Sequence, residues 1–127
     1  MNFYSAPIRT FRSLYLVVTL VSATVFPLMN PIVEELNYRG YSQWQLESAF
    51  GSPRRAIVIS AIGFGLQHIA FAMTVHSAIA YAVAFFLWGF GAGIIVHKQR
   101  RLLPVIVAHF ISNLFFGLAP LFFMATQ

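Results

Sequence analysis

The sequence predicts an all-α, polytopic membrane helix bundle: about four transmembrane helices plus one interfacial helix, forming a single domain over residues 1–127. Three observations lead there. Hydrophobic residues make up 59% of the chain and charged residues 9%, far from the quarter or so that covers a soluble surface. The apolar residues fall in runs of bilayer length, for which a helix needs about 20 residues. The charges collect in short clusters between those runs, the pattern of membrane topology. The net charge of +5 therefore does not imply a nucleic-acid partner, because no continuous basic face with interleaved aromatics exists. The partner implied is the lipid bilayer. The chain has no cysteine, which excludes disulfides, thiolate metal sites and a cysteine nucleophile.

Residues 1–12 read as a polar tail carrying Arg9 and Arg12, followed by a first span at about 13–33. A basic start before an apolar run also resembles a secretory signal, but this run is long for one and leads directly into Glu34 and Glu35. Pro27 and Pro31 predict a kink or unwound turn near its end, which a membrane tolerates only against protein or a water-filled cavity. Residues 41–55 read as the interfacial helix, with Trp44, Leu46 and Phe50 on its apolar side and Gln43, Gln45 and Glu47 facing water. Gly51 would end it and Pro53 would open the next helix. The second span covers about 56–75, with Gly63 and Gly65 allowing a neighbouring backbone to come close. A turn at Thr74–Ser77 leads to the third span, about 78–96, which has no ionisable group. Its Gly89 and Gly93 suit packing within the chain better than a dimer face. After the basic loop 97–101, the fourth span covers about 102–124. Arg39, Arg54, Arg55, Lys98, Arg100 and Arg101 share one side, against Arg9 and Arg12 on the other. The positive-inside rule places the six in the cytoplasm.

Few strongly polar groups remain at membrane depth: Glu34 and Glu35 at the end of the first span, His68 in the second, and His109 with Asn113 in the fourth. Glu34 and Glu35 are two of the chain's three acidic residues, and carboxylates beside a membrane span are costly enough to suggest function. The plain alternative is that Glu35 and Arg39, four apart, merely pair, that Glu34 sits in interfacial water, and that each His is a packed, hydrogen-bonded core residue. The set taken together favours chemistry. His109 and Asn113 project from one helical face, as do Phe64 and His68. A poorly hydrated carboxylate is a strengthened base, so Glu34 with His68 could activate a water for attack on a peptide carbonyl. His109 and Asn113 offer N–H donors for the developing oxyanion. Arg39 would hold Glu35 by a bidentate pair and fix the helix end. Ser112 adjoins Asn113 and so faces elsewhere.

Three motifs in order, Glu34-Glu35-x-x-x-Arg39, Phe64-x-x-x-His68 and His109-x-x-x-Asn113, resemble those of the CPBP (Abi) intramembrane endopeptidases, which include the type II CAAX prenyl endopeptidases. The resemblance covers about residues 20–120. It implies an intramembrane protease in which Glu34 and His68 activate water, His109 and Asn113 stabilise the oxyanion, and Glu35 and Arg39 support the site. It leaves two cofactor readings. A metal-free reaction is preferred, because Asn113 suits oxyanion duty; zinc held by Glu34, Glu35, His68 and His109 is the other, since zinc accepts both imidazole and carboxylate. Relatives usually carry further membrane helices before the first motif, so the substrate-binding walls here are either missing or supplied by a second copy of the chain in a homo-oligomer. The resemblance also implies a peptide or protein substrate at the membrane, with bacteriocin processing or immunity among the roles of bacterial relatives. Two other classes compete: a small proton-coupled transporter subunit using Glu and His as a relay, and a non-catalytic membrane scaffold or immunity protein that retains the motifs.

Overall fold

The computed structural model describes residues 5–125, and their regular structure is entirely helical. Helix α1 spans Ser5–Glu35. It starts before the expected first span because residues of the basic tail continue the helix, with Pro7 in its first turn, where a missing N–H costs little. At about 1.5 Å per residue its length is roughly 46 Å. The helix runs unbroken through Pro27 and Pro31, both fully buried. The unwound turn expected at these prolines is absent. The irregularity comes later, as a π-helical turn over Leu36–Ser42, where N–H groups reach five residues back and the turn widens.

The punctuation after that turn is local chemistry. Helix α2, Gln43–Phe50, stops at Gly51, whose φ of +58° is the left-handed conformation glycine adopts freely. Pro53 then opens α3, Pro53–His68, with the Ser52 hydroxyl accepting the Arg55 N–H. The second span was expected to reach residue 75, yet α3 ends at His68. There the His68 ring bonds the Phe64 carbonyl, the acceptor that the helix reserves for the His68 backbone N–H. A 3-10 turn, Ile69–Phe71, follows. Thr74 and Ser77 then form a reciprocal capping box, at 3.1 and 2.9 Å, that starts α4, Val75–Gln99. Arg100, at φ 54°, ends α4, and α5 spans Leu103–Ala125. Among the described residues α4 is the one helix long and apolar enough to cross a bilayer, and Leu103–Leu118 of α5 is a shorter apolar stretch.

The chain packs as two units: Ile32–Val107, and Met1–Pro31 together with Ala108–Gln127. In the second unit the ring of Pro27 packs against Gly117. In the first, α3 and α4 meet along small residues spaced three and four apart. A Cβ on Gly65 would lie 2.6 Å from the Ala82 carbonyl oxygen, and one on Gly89 3.2 Å from the Cα of Ala61. Only glycine permits the first of these approaches; at the second, a side chain would require the helices to move apart by a few tenths of an ångström. Gly63, by contrast, meets only the Tyr38 ring at ordinary contact distance. The buried core of this unit is Ala56, Ile57, Ala61, Phe64, Ala92 and Val105, and the third-span glycines serve packing within the chain.

Candidate active site

Adjacent residues on a helix point in different directions, and the two glutamates diverge accordingly. Glu35 is fully buried, and Nη1 of Arg39 lies 3.3 Å from both of its carboxylate oxygens. The expected bidentate pair is thus a single nitrogen bridging two oxygens. The other terminal nitrogen of Arg39 faces Gly89. The guanidinium lies over the Phe64 ring at 4.2 Å from its centroid, an attractive cation–π placement that strengthens away from water. Burial lowers the Arg39 guanidinium from its usual value, opposed chiefly by Glu35.

Gln43 is buried, not water-facing as its neighbours in the interfacial helix suggested. Its amide nitrogen donates to the Gly93 carbonyl at 3.1 Å. Glu35, Arg39 and Gln43 therefore form one stripe, four residues apart, turned toward α3 and α4. A cavity of about 210 Å³, lined by Arg39, Gln43, Trp44, Glu47, His97 and Arg100 among others, opens beside this stripe.

Glu34 belongs to a second stripe. Its Oε1 accepts a 2.7 Å hydrogen bond from the Gln67 amide. The Gln67 oxygen in turn accepts from the Tyr38 hydroxyl at 2.7 Å. Burial, and after it the Glu34 charge, push the Tyr38 phenol above its ordinary value against the pull of Arg39, so the hydroxyl keeps the proton it donates. The Ser60 hydroxyl donates to the Tyr38 carbonyl at 3.0 Å, tying the π-helical turn to α3.

His68 follows Gln67 directly, so the residue that holds Glu34 and the imidazole share the end of α3. Its Nδ1 lies 2.7 Å from the Phe64 carbonyl oxygen. A carbonyl can only accept, so Nδ1 is the donor, and in the neutral form of the ring the lone pair lies on Nε2. The ring is buried, stacks on Phe85 with centroids 3.5 Å apart and planes 12° apart, and packs 4.7 Å from Phe64. The third span supplies this stacking ring and the glycine seats for Arg39 and Gln43.

One packed unit thus brings together Glu34, Glu35, Arg39 and His68. His109 and Asn113 lie on α5 in the other unit, where His109 is buried. Ser112 donates its hydroxyl to the Ala108 carbonyl at 3.0 Å, in keeping with its exclusion from the site. Glu34, Glu35 and His68 form no metal-holding cluster; among the described residues no group of three or more His, Cys, Asp or Glu does. Sequence reasoning missed Gln67 as a partner of Glu34, and Tyr38 and Gln43 altogether. Tyr38 stands four residues from Glu34 and Gln43 four from Arg39, so spacing could have found both. Phe85 had no such signal, since its contact is set by how α4 packs.

Residues 15–115 match the family model described as type II CAAX prenyl endopeptidase Rce1-like. No curated protein and no solved structure matches the chain.

Proposed function

This chain belongs to the type II CAAX prenyl endopeptidase Rce1-like family, a family of membrane proteases, and we propose that it hydrolyses a peptide bond at the membrane with Glu34 and His68 as the water-activating pair. The observation that carries this reading is the pairing at the end of α3. Glu34 is oriented by a neutral amide, Gln67, and His68 presents an imidazole with its lone pair on Nε2. The Gln67 amide orients the Glu34 carboxylate, whereas the Glu35 carboxylate is committed to the Arg39 guanidinium. In the proposed reaction Glu34 takes the proton of a water that Nε2 of His68 helps to orient. The oxygen attacks the substrate carbonyl, and the proton passes to the leaving amine. His109 and Asn113 are assigned to the oxyanion on chemistry alone, as N–H donors.

Glu35 and Arg39 are supporting residues in this reading. With Glu35 committed to Arg39, the reaction is proposed to proceed without a metal ion. The chain is proposed to form a multi-pass, four-span membrane domain with its site open to the cytoplasmic side. The substrate is a peptide or protein segment presented at the bilayer.

Cleavage of a fluorogenic peptide library by the full chain in nanodiscs tests this, with wild type, Glu34→Ala and His68→Ala each assayed with and without a strong chelator. Loss in both variants with no chelator effect is expected. Chelator inhibition reversed by zinc would replace the metal-free mechanism. Cleavage persisting in both variants would overturn the assignment.

A further inference from the structure

A second cavity is not lined by Glu34 or His68. It is a groove of about 700 Å³ between the start of α3 and the end of α4. Its lining changes character along its length. Arg54 and Lys98, both exposed, stand at the end near the interhelical loops. Ile57 and Val58 lie one turn further along α3, and Ile94 and Phe90 lie one and two turns back along α4. From Lys98 to Phe90 the groove therefore descends about 12 Å along the helix at 1.5 Å per residue. This is the apolar body of the helix that is long and apolar enough to cross a bilayer. Glu47 pairs with His97 at 3.6 Å and Arg100 at 3.8 Å, and among the described residues no ion pair joins Arg54 or Lys98 to a carboxylate.

A cationic end continuous with an apolar trough, running in the direction of a membrane normal, matches an anionic amphiphile. The geometry points to a binding site for one anionic phospholipid: the headgroup phosphate between Arg54 and Lys98, and an acyl chain along Ile57, Val58, Phe90 and Ile94. A free peptide anion would satisfy the charges and leave the trough unfilled. A zwitterionic lipid would fill the trough, but its ammonium would offset its phosphate and leave the net positive charge of Arg54 and Lys98 unmet. The site is separate from the proposed catalytic residues, and its test does not require proteolysis.

Native mass spectrometry of the full chain in detergent measures this directly. The chain is titrated with phosphatidylglycerol, with phosphatidylcholine of the same acyl chains, and with glycerol phosphate as the headgroup alone. One phosphatidylglycerol is expected to bind with a preference over phosphatidylcholine of about thirtyfold, near the value for two basic side chains at about fivefold each. The double variant R54Q/K98Q is expected to abolish the preference and leave phosphatidylcholine binding unchanged. The charge-matched control R55Q/R101Q, both exposed and outside the groove, is expected to keep it. Val58→Trp, which fills the trough without touching charge, is expected to lose the bound lipid. Equal binding of the two lipids, equal loss in the two double variants, binding of glycerol phosphate as tight as that of lipid, or a dimer that excludes lipid would each overturn the proposal.

Discussion

Two stripes of the same turn leave the end of α1 and have opposite characters. Glu35, Arg39 and Gln43 point into the α3–α4 packing, where charge is fully enclosed and each group has a fixed seat: an ion pair, an aromatic ring, a glycine carbonyl. Glu34 and Tyr38 point to the end of α3, where the bonds run through the neutral amide of Gln67 and Glu34 is only partly enclosed. Two identical residues side by side are thus separated by their partners. The one opposite a guanidinium holds the fold together. The one opposite an amide is the one proposed to act on water.

Substitutions can break or sharpen that division. Glu34→Gln is expected to lower peptide cleavage by on the order of 10²–10⁴-fold, the usual yield of a general base, while the thermal unfolding midpoint in detergent stays near wild type. A large loss of stability instead would merge the two stripes. Arg39→Ala should do the reverse, costing about 3–5 kcal/mol of stability because it leaves the Glu35 carboxylate buried without its counter-charge. The double variant Glu35→Leu with Arg39→Met should recover most of that loss, since apolar replacement of a buried pair is commonly near neutral. Failure to recover would mean that the pair also positions the site.

Gln67→Leu removes a hydrogen bond to a carboxylate, a loss of about 1.5–3 kcal/mol. If Gln67 orients Glu34, the loss should be read in the cleavage rate, as roughly ten- to hundredfold, rather than in the unfolding midpoint. The smallest effect is expected for Gln43→Leu, about 0.5–1.5 kcal/mol of stability for a neutral hydrogen bond, with cleavage unchanged. A marked activity defect there would extend the catalytic stripe across the turn.

Much of the helical punctuation was legible in the chain. Gly51 and Pro53 act through backbone chemistry within four residues, which a sequence displays; the turn expected at Thr74–Ser77 is instead the N-terminal cap of α4, and the loop expected at 97–101 begins only after Gln99, where α4 ends. The motif residues were legible for the same reason, being few and polar in an apolar chain. The π-helical turn was not. The two prolines drew attention to residues 27–31, but a helix carries buried prolines when neighbours satisfy what they leave open, and nothing in Leu36–Ser42 announces an i→i+5 pattern. Gln43 was misassigned because its amphipathic neighbours face outward and a single inward amide is decided by packing. Phe85 reaches His68 only because Gly65 lets α4 approach, a contact between residues 17 positions apart.

The contact between His68 and Phe64 also bears on the proton-relay reading. To pass protons along a wire, an imidazole must accept at one nitrogen and release from the other, then reset. The Nδ1 proton of His68 points at a helix carbonyl, which has no basic site to pass it to. Stacking on Phe85 at 3.5 Å opposes the ring flip that would exchange the two nitrogens. A proton taken up at Nε2 must therefore leave from Nε2. This geometry makes His68 a poor link in a proton wire, which suits the proposed role of orienting a water through Nε2 and not a relay through the membrane.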